Sequence, residues 1–158
     1  MRTVTSPANW VRRTPVGFLG GSIEQGSAVD WQAIVATELA SYDVELLNPR
    51  REHWDSTWRQ DPTPGTSFYG QVDWELEGQE YADFCIYVFD ANTMSPITLL
   101  ELGLFVRTKQ VFVCCPKAFW RYGNVKMTFD RYALPGSSFT EDLDLMLQSL
   151  KERLDRVP

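Results

Sequence analysis

The chain has 158 residues, with 15 Lys+Arg against 21 Asp+Glu, one His and three Cys. That length suits one domain at roughly 100–200 residues each, and 44% apolar with 23% charged residues is a globular composition. The net charge of −6 argues against a nucleic-acid backbone or an anionic membrane as partner, and no apolar run approaches the roughly 18 residues that span a bilayer.

Residues 1–14, with Arg2, Arg12 and Arg13, show little periodicity and read as an arm ahead of a single domain over 15–158. Pro15 to Ile23 (PVGFLGGSI) is a short apolar run ending in Gly20-Gly21-Ser22, the pattern of a buried strand followed by a tight loop. Trp31, Ile34, Val35 and Leu39 recur at helical spacing, which predicts an amphipathic helix over 28–41. Val44 to Leu47 is a second strand, stopped by Asn48-Pro49. Residues 48–66 hold three Pro, three Arg and two Trp and predict an ordered loop over or beside a site.

Phe68, Val72 and Leu76 mark a helix over 67–81, with that face toward the core. Phe84 to Phe89 is the most strand-like segment of the chain. Ser95-Pro96 begins a helix over 96–108 by a hydroxyl cap and a proline at the first helical position. A strand runs from Val111, and 124–129 offers another. Ser138 and Glu141 form a capping-box pattern ahead of a last helix lined by Leu143, Met146, Leu147, Leu150 and Leu154. This alternation implies an α/β domain, with helices packed on a mostly parallel sheet. The site of such a sheet lies beyond the carboxyl ends of its strands, which directs attention to Gly20–Ile23 and Asp90–Ser95.

The lone His53 sits in a polar loop, a poor setting for a nucleophile–base pair. Cys114 and Cys115 are adjacent and Cys85 is distant, so no spacing fits a metal. Three cysteines in or beside apolar runs read as reduced, buried thiols, and the N-terminus lacks a secretory h-region, which points to the cytosol. Neither the dinucleotide fingerprint nor a P-loop occurs. Carboxylates and hydroxyls are left to carry any chemistry.

Glu101 is the one charged residue of the stretch Ala91 to Val106. Ile97, Leu100, Leu104 and Phe105 surround it on a helix that reads as buried all round. A carboxylate costs several kcal/mol in such a place unless paired or facing a pocket. Two readings stand: a Glu paired with an Arg of the 48–59 loop, or a catalytic carboxylate in an apolar cleft. Gly103 nearby admits a close approach or tight packing. Asp73 and Glu75 form a second acidic group, with Glu75 nearer the core-facing side and Asp73 more outward. Asp90 ends its strand either as turn chemistry or as a site residue. Gly20-Gly21-Ser22 is by itself only a turn that could admit a sugar or phosphate.

Several segments in order, FLGGSI, Trp31-Gln32, NPRR with Trp54-Asp55, QVDWELEGQEYAD, SPITLLELG and CCPKAFWRYGNV, resemble the nucleoside 2-deoxyribosyltransferase-like family over roughly residues 16–134. The resemblance implies a flavodoxin-like, three-layer α/β fold on a five-stranded sheet. It implies cleavage of the N-glycosidic bond of 2′-deoxynucleosides and transfer of the sugar to another nucleobase. Glu101 falls on the nucleophile and Glu75 on the acid that helps the base leave, where the better-known transferases carry Asp. Ser95 replaces another Asp of those transferases; in relatives that hydrolyse deoxynucleoside 5′-monophosphates a Ser there contacts the phosphate. Gly20, Gly21, Ser22 and Ile23 match the sugar-side loop. Asn124 resembles an Asn that completes a neighbouring subunit's site, and family members commonly form homo-oligomers. No metal or redox cofactor is implied. The aromatics Trp54, Trp58, Phe68 and Tyr69 are candidates to stack on a nucleobase. Transferase, hydrolase and non-catalytic nucleotide-binding module all stay open.

Overall fold

The computed structural model describes residues 1–11, 15–23, 30–51 and 57–156. His53, Trp54 and Asp55 lie outside the described residues. Three strands follow from apolar runs buried on both faces, as parallel sheets require. They are β2 (Val16–Gly21), β4 (Phe84–Val88) and β5 (Gln110–Cys114). With β1 (Arg2–Thr5), β3 (Glu45–Asn48) and β6 (Ser138–Thr140) they form a six-stranded sheet ordered β1-β3-β2-β4-β5-β6. Every neighbouring pair is parallel.

Helices α2 (Ser67–Tyr81), α3 (Pro96–Phe105) and α4 (Tyr122–Tyr132) cover one face. There Trp74, Leu102 and Val125 pack on Phe18, Tyr87 and Val113. Helices α1 (Trp31–Glu38) and α5 (Leu143–Asp155) cover the other, bringing Trp31, Val35, Met146 and Leu150 onto Leu19, Ile86 and Phe112. This is the expected three-layer, flavodoxin-like arrangement with one strand more than the five expected. The chain leaves β2 toward β3 on one side and returns to β4 on the other, so the reversal of strand order lies between β2 and β4. No described helix is long and apolar enough to cross a membrane.

The extra strand comes from the expected arm. Arg2–Thr5 pair in register with Glu45–Asn48, and Arg2 pairs at 3.6 Å with the buried Glu45. The indole of Trp74 donates to the Ala8 carbonyl at 3.0 Å, and Trp10 meets Trp74 edge-on. Four residues are too few to show a period, and their partner strand lies some 40 positions along the chain.

Other expectations are corrected by packing. Residues 124–129 are helical within α4, because Tyr122, Val125 and Phe129 share a face at spacings of three and four while Met127 points outward. On α2 the inward face is Gln71, Trp74, Gly78 and Gln79; Leu76 is exposed. Helix α3 is not buried all round. It buries Thr98, Glu101, Leu102 and Phe105 and exposes Ile97, Leu100 and Leu104 by 57%, 60% and 53%. Gly103 is likewise exposed; a Cβ there would meet nothing within 4 Å.

The cap of α5 is Asp142, not Ser138. Its carboxylate accepts from the amides of Asp144 and Leu145 at 2.9 and 3.3 Å. Ser138 belongs to β6, and its buried hydroxyl has no partner. Asp142→Ala should therefore lower stability by about 1 kcal/mol, whereas Ser138→Ala should be close to neutral. Urea titration of both variants checks the assignment, and the reverse order of effects refutes it.

Candidate active site

The carboxyl ends of β2 and β4 open onto two groups of side chains, one of hydroxyls and one of carboxylates and amides. Ser22 follows β2, and Thr93 and Ser95 follow β4; all three are buried. The Ser22 and Thr93 hydroxyls lie 2.8 Å apart, those of Thr93 and Ser95 2.7 Å apart, and Ser22 also bonds Ser95. The Asp90 amide donates to the Ser22 hydroxyl at 3.1 Å. Asp90 itself does turn work, its Oδ1 accepting from the Asn92 amide at 2.8 Å. Ser95 starts α3 in a left-handed conformation (φ 46°), but its hydroxyl makes no cap bond. That hydroxyl is spent on Ser22 and Thr93, which corrects the expected cap.

The two glycines before Ser22 are dictated by neighbours. A Cβ on Gly20 would lie 2.7 Å from the Tyr87 ring. One on Gly21 would lie 2.5 Å from the Val88 carbonyl oxygen and 2.6 Å from the Trp31 ring. Ile23 is half-buried at the end of its described stretch.

The second group begins about 9 Å further along α3, at a rise of 1.5 Å per residue. Glu101, in the second turn, is 7% exposed. Its Oε1 accepts from Nε2 of Gln79 at 3.0 Å. This neutral amide, and not a guanidinium of the 48–59 loop, is its described partner. Glu75 sits one turn before Gln79 on α2, and its Oε1 accepts from Nε2 of Gln71 at 2.7 Å. Oε1 of Gln71 in turn accepts from Arg51 Nε at 2.6 Å and from the Ser6 hydroxyl at 2.7 Å. Gln71, Glu75 and Gln79 recur every four residues, so helical geometry stacks them in one row.

Burial, the charge of Glu75 and the amide of Gln79 act together on Glu101. The first two disfavour its anion and the third favours it, leaving its carboxyl pushed up to about 8. Burial also raises Glu75, opposed by the Gln71 hydrogen bond and by the positive charge of Arg51. The site thus sets the buried carboxyl of Glu101 against the half-buried carboxyl of Glu75, each repelling the other's charge, with a hydroxyl cluster at the start of α3. Such a pair offers a nucleophile and a proton donor without a metal ion.

Of the residues singled out from the sequence, Glu75 and Glu101 come together, as do Ser22, Asp90 and Ser95. Asp73 does not join them; it is exposed, and two residues from Glu75 on a helix is just over half a turn away. Asn124 is also exposed, lining a cleft of about 300 Å³ between α3 and α4 with Leu99, Leu102, Gly103 and Arg121. Glu101 does not line that cleft. Trp58 lies under the Arg51 guanidinium at 4.9 Å. Sequence reasoning missed Gln71, Gln79, Tyr87 and Thr93. The four-residue spacing of Gln71, Glu75 and Gln79 was a usable signal for the first two.

Residues 16–119 match the family described as nucleoside 2-deoxyribosyltransferase like. No curated protein matches the chain. Among solved structures, a conserved protein from Enterococcus faecalis V583 is similar, with a TM-score of 0.65 at 12% identity. That likeness covers 90% of this chain and 100% of the other, and it is a likeness of fold.

Proposed function

The chain belongs to the nucleoside 2-deoxyribosyltransferase-like family, and from that premise we propose that it transfers 2-deoxyribose between nucleobases in the cytosol. The observation that carries this reading is the pairing of Glu101 with Glu75 at the strand ends, Glu101 bonded to a neutral amide. Oε2 of Glu101 attacks C1′ as the bond to the base nitrogen breaks; the electron pair leaves with the base, which takes a proton from Glu75. The oxocarbenium-like transition state is stabilised by the adjacent carboxylate. The acceptor base then attacks C1′ from the opposite face, frees the Glu101 carboxylate and returns a proton to Glu75. Two inversions leave the anomeric configuration unchanged.

One observation favours a second reading, hydrolysis of a deoxynucleoside 5′-monophosphate. The hydroxyls of Ser22, Thr93 and Ser95 cluster where the amide ends of α3 begin, a place suited to an anion. A binding module without turnover has no comparable support, since it gives no reason to set the buried Glu101 against a second carboxyl that repels its charge.

The exposed stripe of Ile97, Leu100 and Leu104 on α3 supports a homo-oligomer, in which it would be covered by another copy. The acidic net charge supports a small-molecule partner over nucleic acid. Three free, buried cysteines suit a reducing compartment.

The test is chromatographic. The protein is incubated with a 2′-deoxynucleoside, with and without a second free base, and in parallel with the 5′-monophosphate. A new deoxynucleoside that forms only with the acceptor supports transfer. Free base released from the monophosphate alone supports the second reading. Intact substrates in every arm refute both.

A further inference from the structure

We infer that Gln79 and Tyr87 are positioning residues that aim Glu101, an inference that rests on the reading of Glu101 as nucleophile. Gln79 is completely buried, and its amide is fully used. Nε2 donates to Glu101 Oε1 at 3.0 Å and to the Glu75 carbonyl at 3.1 Å. Its Oε1 accepts from the Tyr87 hydroxyl at 2.7 Å. Turning the amide over would set an oxygen against two acceptors, leaving both unsatisfied in a buried place. One orientation alone satisfies every group, and the Tyr87 hydroxyl selects it.

That selection is built into the sheet. Tyr87 faces Gly20 across the β2–β4 register. The missing side chain at Gly20 is what admits its ring, since a Cβ would come within 2.7 Å. Glycine on β2, tyrosine on β4, glutamine on α2 and the carboxylate on α3 thus form one chain of contacts from the sheet into the helix layer above it. Because Gln79 engages Oε1, the other oxygen of Glu101 is left to attack. A neutral donor orients a carboxylate without the strong attraction by which a cation would hold its electrons back. The groups facing Glu101 from packed elements are Glu75 and Gln79 of α2 and Cys85 and Tyr87 of β4. Of these, Glu75 opposes its ionisation and Gln79 favours it.

The test uses two variants of the full chain, Tyr87→Phe, which removes one oxygen, and Gln79→Met, which keeps length and shape. The Glu101 carboxyl carbon is titrated by NMR in glutamate-labelled protein, with its signal assigned through Glu101→Gln. Deoxynucleoside cleavage is measured on the same samples. Both variants should raise the Glu101 midpoint. In Tyr87→Phe, kcat should fall about 10-fold with KM changed by less than about twofold, and Gln79→Met should lose about 100-fold, the size expected for a lost buried orienting bond. A residue that served only the fold would lower stability and leave the midpoint in place. An unmoved midpoint in both variants overturns the inference, whether or not the protein cleaves. A moved midpoint in a protein whose native form cleaves no deoxynucleoside refutes the proposed reaction and upholds the positioning.

Discussion

Glu101→Gln is expected to reduce deoxynucleoside cleavage by at least about 1,000-fold, as removal of a covalent nucleophile does, in a protein that folds as well as the native one. The amide is nearly the same size as the carboxylate, and its carbonyl can still accept from Gln79 Nε2. What it lacks is the oxygen that attacks C1′. The same substitution carries a stability signature with a definite sign. The Glu101 carboxyl is pushed up to about 8 in the folded protein by burial and by Glu75, while an unfolded glutamate titrates near 4.3. The folded state therefore binds the proton more tightly. The stability this adds is complete below the unfolded value and is lost as pH rises through about 8. Native protein should thus lose a few kcal/mol from this group between about pH 5 and 8.5, and the glutamine variant should not. Thermal melts across that range should show the variant gaining on the native protein as pH increases. A fully active variant removes the proposed chemistry; a difference in Tm that stays constant with pH removes the buried, proton-holding carboxyl.

The second large effect is expected from Glu75→Gln. Loss of a general acid costs roughly 100- to 10,000-fold in rate, because a purine or pyrimidine anion is a poor leaving group. The fold should survive, since a glutamine oxygen can still accept from Gln71. The pH profile separates this loss from a structural one. Native activity needs Glu101 ionised while Glu75 keeps its proton, so it should fall as pH rises through about 8, where the pair gives up its last proton. In Glu75→Gln only Glu101 has to ionise and the like charge is gone, so its residual activity should rise at lower pH and show no fall near 8. A deoxyriboside with an activated leaving group, which needs no protonation, should recover most of the lost rate. A variant with native activity, or one whose profile stays in place, would take Glu75 out of the mechanism.

The limits of sequence reading are visible in particular elements. β4 and β5 stand out as apolar runs, and α2 runs from Ser67 to Tyr81 as its spacing predicts. Glu101 stands out because one charge interrupts an apolar stretch. The orientation of α3 was not available in the same way. Leucines occupy most of its surface, and periodicity does not say which of two apolar faces meets the sheet. The fold turns Thr98 and Glu101 inward and leaves Ile97, Leu100 and Leu104 outside, the reverse of ordinary amphipathic logic. Asp142, in place of the capping-box Ser138, was likewise settled by β6, which takes Ser138–Thr140 into the sheet.

The layer architecture was legible along the chain, and so were Glu75 and Glu101 as candidates, which the fold brings together. Each of these depends on local pattern: an apolar run, a helical period, a charge out of place. Tertiary structure decided the partner of each carboxylate, since hydrogen bonds between Gln79, Tyr87 and Glu101 join residues from different elements. It also decided that Arg2–Thr5 is a strand, because a short parallel strand exists only through its neighbour's hydrogen bonds. Local pattern is written along the chain; pairing across it is fixed by packing, and the proposed reactivity of Glu101 depends on that pairing.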